Sequence, residues 1–419
     1  MSTDELPRSG RPRVIVVGAG FAGLAAVREL RDADVDVLLL DRDPFNTFQP
    51  LLYQVATGGL NPGDITYSLR AFAARFPHAR FRRATVTGVD TAQRRVRLDS
   101  GVEVGYDYLI LCCGVVANYF GIPGAEENAW TIYSRRSAIA VRDRVLSNLE
   151  SVAQGREGAV EPVVVVVGGG ATGVEMAGAL AELRNSGLPL AYPELDPRRA
   201  RVVLVEMADT LLAPFHPTLR SYAARALRER GVDLRLGTAV RQVRPDSVVL
   251  SDGECLPSAV TVWATGVRAC DQVAMWGLRQ GPGGRIQVEA DMRVVGQPDV
   301  FAVGDVAARG DDPLPQLAQP AIQGGRHAAR QVRRLARGEP TEPFSYRDKG
   351  IMATIGRSDA VVQLPGRVRM RGFVAWVAWL GLHVLALMSN RNRLATMANL
   401  AVRYLTWKRT ANVIVGDPP

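Results

Sequence analysis

The sequence predicts an α/β protein in which one strand–turn–helix unit occurs twice and is followed by a helical tail. Three observations carry this. "RVIVVGAGFAGLAAVREL" (13–30) runs from a β-branched apolar stretch through three glycines into an alanine-rich helical pattern. "VVVVVGGGATGVEMAGALAELR" (163–184) repeats that grammar. Near the end, "GFVAWVAWLGLHVLALM" (372–388) is the most apolar run of the chain, and no Asp or Glu occurs from Ala360 to Gly416.

Each glycine has a task in such a turn. Gly18 and Gly168 permit the tight bend, and Gly20 and Gly170 let backbone N–H groups approach a pyrophosphate. Gly23 and Gly173 let the helix pack on the strand, and the helix N-terminus adds positive partial charge. An acid closing the next strand would then accept hydrogen bonds from a ribose. Asp41 ends "DVLLLD", 18 residues after Gly23, and Glu206 ends "RVVLVE". Glu206 stands further from its glycines because the proline-rich "NSGLPLAYPELDPRRA" (185–200) reads as a loop. A third pair repeats too: "LDSGVEVGYDYLILCCG" and "LSDGECLPSAVTVWATG" each close on a glycine 13 residues after the first, Gly101 to Gly114 and Gly253 to Gly266. Three aligned repeats point to a duplicated Rossmann-like dinucleotide-binding fold. Glu206 favours NADH, since an anion accepts from a 2′-hydroxyl and repels a 2′-phosphate.

Composition agrees. With 419 residues, two or three domains are expected. A chain 47% hydrophobic and 22% charged buries a core, and its net charge of +9 calls for an anionic partner. Eight cations, Arg367, Arg369, Arg371, Arg391, Arg393, Arg403, Lys408 and Arg409, fall in the acid-free window of the tail. Four cysteines without a C-x-x-C suggest a reduced, intracellular setting. The first residues show no apolar signal region, so the chain is expected to stay where it is made. The four histidines have no metal-ligand spacing, and no metal is expected. Basic residues do not alternate with stacking aromatics, which argues against nucleic acid.

Two such folds, with "DVFAVGDVA" (299–307) after the second, resemble the flavoproteins with two dinucleotide-binding domains, similar to glutathione reductase. The resemblance implies FAD in the first fold and NADH in the second. Asp305 would meet the FAD ribityl or pyrophosphate, with Phe21, Ala22, Asp41, Arg42, Val86 and Gly114 around the same cofactor and Gly266 beside NADH. Disulfide reductases of that group carry a cysteine pair soon after the first acid. Here that region reads "NTFQPLLYQVATGGL" (46–60), which excludes a dithiol relay. Cys112 and Cys113 read as buried small side chains.

"FQPLLYQVATG" (48–58), "LAQPAIQGGRHAA" (317–329) and "DKGIMATIGRSDAVV" (348–362) narrow the resemblance to the type II NADH:quinone oxidoreductases. It implies that Ala318, Gln319 and Gln323 line the flavin and a quinone pocket, where neutral amides can donate to quinone carbonyls. Gly324 departs from the pattern, since a second glutamine is common there. Glu175, on the first turn of the second glycine helix, would serve quinone reduction and proton delivery. Lys349 would stabilise the anionic reduced flavin. The domains implied are an FAD-binding domain (12–124 with 297–345), an NADH-binding domain (125–296) and a membrane-associating segment that is also a candidate for dimerisation (346–419).

The tail decides where the acceptor is. As a helix, 372–388 would rise about 25 Å, short of the ~30 Å hydrocarbon core. In "LATMANLAVRYLTWKR" (394–409), Leu394, Met397, Ala398, Ala401, Tyr404 and Leu405 share one helical face, and Thr396, Asn399, Arg403 and Thr406 another. Apolar face, basic flanks and missing acids fit a helix lying among lipid headgroups. The expectation is an FAD-dependent enzyme that passes two electrons from NADH to menaquinone or ubiquinone without pumping protons. It would be a homodimer seated on anionic lipid, peripheral to the cytoplasmic face of the cell membrane. A sulfide:quinone-type reductase and a slow-turnover NADH-binding signalling flavoprotein are the alternatives.

Overall fold

The computed structural model describes residues 10–310 and 313–406, with side chains through residue 401. The chain forms two compact units: residues 10–46, 67–116 and 267–348, and residues 47–66, 117–266 and 349–406.

In the first unit the strand Arg13–Val17, four apolar residues after an arginine, is buried along its whole length, as a strand covered on both faces must be. It sits at the centre of a five-stranded parallel sheet in the order Val300–Ala302, Tyr108–Leu111, Arg13–Val17, Asp36–Asp41, Ala79–Arg83. The helix Phe21–Glu29 leaves its C-terminal end. An antiparallel meander, Val86–Asp90, Arg95–Leu98 and Glu103–Gly105, precedes the return strand Tyr108–Leu111. The long helix Ala318–Leu335 lies on Phe21–Glu29. A Cβ at Gly325 would run into the Ala22 carbonyl, so only glycine permits this approach.

The second unit rebuilds the plan. Its parallel sheet runs Ala129–Thr131, Val260–Trp263, Val163–Val167, Arg201–Glu206, Val232–Leu236. The meander Val240–Val243, Ser247–Leu250, Cys255–Pro257 again feeds the return strand. Each repeated segment that closes on Gly114 or Gly266 is thus the crossing from meander to sheet. The outermost strand differs in origin: Val300–Ala302 comes late in the chain, Ala129–Thr131 comes before its own glycine strand.

The 185–200 segment is less of a loop than its prolines suggest. The helix Ala171–Glu182 runs on through a wide turn, Leu183–Gly187, into Leu188–Ala191. Pro189 sits in the first turn of the last piece, where a missing N–H costs nothing.

Residues 349–401 complete the second unit. Strands Ile351–Gly356, Asp359–Gln363 and Arg369–Arg371 form an antiparallel sheet, followed by helices Gly372–Ala386 and Asn390–Thr406. Among the described residues no helix is long and apolar enough to cross a membrane.

Candidate functional site

The two glycine turns have the same construction. Gly18 and Gly168 take φ of +101° and +112°, the left-handed region that L side chains avoid. A Cβ at Gly18 would strike the Cys112 carbonyl, and one at Gly168 would lie 2.7 Å from the Thr265 side chain. A Cβ at Gly23 or Gly173 would collide with the carbonyl oxygen of Gly18 or Gly168. Gly20 and Gly170 are different: both are exposed, open space lies before them, and neither helix start has a side-chain cap. Each turn therefore offers unsatisfied N–H groups to an anion.

The acids brace these turns. Asp41 accepts from the Ala19 N–H (2.6 Å) through Oδ2 and from the Asp43 N–H (2.9 Å) through Oδ1. Burial pushes its pKa up against those hydrogen bonds. Glu206 accepts from the Gly169 N–H and from the Ala208 N–H (2.7 Å). A carboxylate has about four lone-pair sites, so each acid keeps capacity for a ligand hydroxyl.

Around the first turn, Phe21 and Ala22 begin the helix and Arg42 is exposed, 3.9 Å from Asp43. Val86 is buried at the start of its strand, and Gly114 (φ +70°) faces open space. Cys112 is buried with its thiol on the Gly18 carbonyl (3.2 Å). Cys113 is only half-buried, and neither cysteine forms a disulfide. Asp305 lies in the turn Gly304–Val306 that follows the strand Val300–Ala302. Burial pushes its pKa up to about 6, with Arg285 pulling the other way, and no described residue donates a hydrogen bond to it. Asp305 is half-buried, and its oxygens are open to a group that brings a donor.

The 318–335 helix carries Ala318, Gln319 and Gln323 on its first two turns. Gln319 is half-buried, and its amide bonds no described residue. Gln323 has its amide already engaged: Nε2 donates to the Arg347 carbonyl and Oε1 accepts the Arg347 N–H, both at 3.0 Å. Gln323 thus straps the 345–348 segment to the helix. At Gly324 a Cβ would meet Val303 at 3.5 Å, ordinary contact, so the departure from glutamine leaves the helix seat unchanged. Lys349 is exposed in the second unit, just before the strand Ile351–Gly356.

In the second unit Gly266 (φ +66°) lies under the Phe120 ring, where a Cβ would not fit. Glu175, near the start of the helix Ala171–Glu182, accepts the Thr354 N–H (3.3 Å), with the Trp379 indole beside it. Burial pushes its pKa up to about 8, and those two donors pull it down. The strand that supplies Thr354 comes this close because Gly178 has no Cβ to meet the Ile355 carbonyl. The sequence reading passed over Gly178; its signal was position, three residues beyond Glu175 on the same helical face.

The tail helices turn apolar side chains outward. Phe373, Val374, Val377, Leu382 and Leu385 are exposed on the first, while Ala375, Trp379 and Val384 face inward. On the second, Leu394, Met397, Ala398 and Ala401 are exposed while Asn392, Thr396 and Leu400 are buried. Asn392 donates to the Thr66 carbonyl (2.7 Å) and Asn399 to the Asp64 carboxylate. The side chains of Arg403, Tyr404, Leu405 and Thr406, and residues 407–409, lie outside the described residues. Arg367, Arg369, Arg371 and Arg391 are exposed near the apolar stripe.

Comparison with known proteins places this construction. The pyridine nucleotide-disulphide oxidoreductase family matches residues 12–325. The type II NADH:quinone oxidoreductase Ndh of Mycobacterium tuberculosis (strain ATCC 25618 / H37Rv) is 36% identical over 97% of this chain and 90% of its own. An internal alternative NAD(P)H-ubiquinone oxidoreductase of Arabidopsis thaliana is 31% identical over 93% of this chain and 83% of its own. Among solved structures, NDH2 from Plasmodium falciparum in complex with NADH superposes with a TM-score of 0.86, covering 96% of this chain and 99% of that one at 18% identity. The sulfide:quinone oxidoreductase from Aquifex aeolicus gives 0.74 over 95% and 96% at 20% identity. At such identities the structural likeness concerns the fold.

Proposed function

The chain belongs to the type II NADH:quinone oxidoreductases, within the pyridine nucleotide-disulphide oxidoreductase family, and on that premise we propose how its residues divide the work. The protein is an FAD-dependent oxidoreductase that moves two electrons from NADH to a quinone, with no proton pumped. The observation that carries the division of sites is the acid-braced glycine turn, built twice, once on Asp41 and once on Glu206.

The residues of the first unit fit FAD. An open, uncapped helix start would meet a pyrophosphate, Asp41 keeps lone pairs for a ribose, and half-buried Asp305 is open to a hydroxyl donor. Bound there, FAD would supply the hydride-accepting, two-electron centre between NADH and quinone. Phe21, Ala22, Arg42, Val86, Gly114 and Ala318 are our assignment for its surroundings, and the exposed Lys349 is assigned as the cation for the reduced flavin. The second turn, Gly168, Gly170 and Gly173, takes the NADH pyrophosphate. Glu206 takes the adenosine ribose, and Gly266, under the Phe120 ring, is assigned beside the dinucleotide.

Gln319, with its amide unspent, donates to a quinone carbonyl, and Gln323 holds the 345–348 segment in place. Glu175, protonated at neutral pH, is the proton reservoir on the nicotinamide side; quinol formation consumes two protons as well as two electrons. The residue ranges 12–124 with 297–345, 125–296 and 346–419 are our functional assignment to FAD, NADH and lipid.

The exposed apolar stripe of 373–397 and its arginines support a peripheral, monotopic seat on anionic lipid at the cytoplasmic face of the cell membrane. A second copy of the chain is the expected protein partner, read by light scattering in detergent. Truncation after residue 365 would also strip away buried Trp379, so a cleaner test charges the outer face. Leu382→Glu with Leu385→Glu should release folded, yellow protein from anionic vesicles and depress reduction of long-tailed quinones, sparing short soluble ones. Retention on vesicles would overturn the lipid seat. Protein that purifies without flavin, or that oxidises NADPH faster than NADH, would overturn the site assignment.

A further inference from the structure

The tail helix does more than face outward. Trp379 lies on its inner side, 2% exposed. Its ring stacks on His383 at 4.1 Å and meets Tyr53 edge-on at 6.2 Å, and His383 in turn contacts Phe48. The His383 Nδ1–H donates to the Trp379 carbonyl (2.7 Å), which fixes the orientation of the imidazole. The indole is therefore held from several sides. Yet its N–H is buried and makes no well-formed hydrogen bond. Buried donors without acceptors are rare enough to need a reason. The Glu175 carboxyl is close enough for this indole to lower its pKa, while its well-formed hydrogen bond comes from the Thr354 N–H (3.3 Å).

We propose that Trp379 is a positioning residue for Glu175, held against the carboxyl so that its indole N–H is taken up once that group gives away its proton. The inference rests on the reading of Glu175 as the proton-handling group. Protonated, Glu175 needs little from the indole. Ionised, it is a strong acceptor in a site with little water, and a donor fixed beforehand lowers the cost of the charge. The tail helix and the carboxyl beside the second glycine turn are thereby mechanically joined.

The ionisable surroundings leave this pair to itself. The strand Ile351–Gly356 brings none, the helix Leu52–Ala56 only Tyr53, and the tail helix only His383, held neutral by burial. Neighbouring elements carry Arg184, Arg201, Glu206, Arg220, Arg225, Arg228, Glu229, Asp233 and Arg235, and its own helix Glu182, yet burial dominates the Glu175 shift, with Thr354 and Trp379 opposing it.

The test uses the full-length holoenzyme and reads the pH profile of quinone reduction at saturating NADH, beside an infrared titration of the protonated carboxyl. Glu175→Gln should abolish the alkaline limb and the carboxyl signal. Trp379→Phe should keep the limb and move its midpoint upward by about half to one pH unit, because a donor to the charged form is gone. The double variant should show no limb to move. Should Trp379→Phe fold poorly, benzothienylalanine at position 379 keeps the bicyclic shape without the N–H and should give the same shift. A midpoint unmoved in a folded protein lacking that N–H overturns the role of Trp379 while leaving Glu175 in place. A limb that survives Glu175→Gln overturns the Glu175 reading, and this inference with it.

Discussion

Glu206 accepts a hydrogen bond from the backbone N–H of Gly169, the middle residue of the second glycine turn. Asp41 does the same for Ala19, the middle residue of the first. Each carboxylate thus shapes its glycine turn and keeps lone pairs to spare, so under our assignment one side chain serves both the phosphate and the ribose half of a dinucleotide site.

Glu206→Ala should therefore weaken NADH more than a lost ribose contact alone would. Losing a charge-assisted pair costs about 1.5–3 kcal/mol, roughly ten- to a hundredfold in kcat/KM for NADH. Steady-state kinetics with NADH and NADPH should also show their ratio falling, since the repulsion of a 2′-phosphate disappears.

Asp41→Ala should act on the other cofactor. Its backbone donors, Ala19 and Asp43, lose their acceptor, and the first turn loosens. The flavin-to-protein absorbance ratio after gel filtration should drop for Asp41→Ala and stay unchanged for Glu206→Ala. The reverse pattern would mean the two sites are assigned the wrong way round.

Gly178→Ala should destabilise the second unit by about 1–3 kcal/mol, because the added methyl meets the Ile355 carbonyl. Ala179, its buried neighbour on the same helix, makes a useful reference for ordinary core packing. Urea denaturation reads the difference. Since Ile355 adjoins Thr354, the Glu175 hydrogen bond should weaken too.

The raised pKa of Glu175 has a stability consequence of definite sign. A carboxyl whose folded pKa, about 8, exceeds its ordinary value of 4.5 favours the fold below the ordinary value, and this contribution is lost as pH rises toward 8. The wild-type melting temperature should decline between about pH 5 and pH 9 more steeply than that of Glu175→Gln. Parallel curves by scanning calorimetry would show that the carboxyl is not held protonated.

Much of this protein was legible in its sequence, and for a local reason. The glycine turns, their closing acids and the repeated return strands are written within short stretches, where φ preferences and apolar runs suffice to specify backbone shape. The two faces of the last helix were legible in the same way from their period. Other features depend on residues far apart in the chain. That Asn392 and Asn399 turn toward the protein was decided by their acceptors at Thr66 and Asp64. That Gln323 is spent on the Arg347 backbone, and that Gly178 admits Ile355, followed from which segments pack together. Position 300–302 fills in one sheet the place that 129–131 fills in the other. The sequence by itself determined the two nucleotide turns and their acids, because each is a local conformational demand. Only the tertiary structure decided which polar side chains remain unspent, because a hydrogen-bonding group is committed or available according to the partner that packing brings to it.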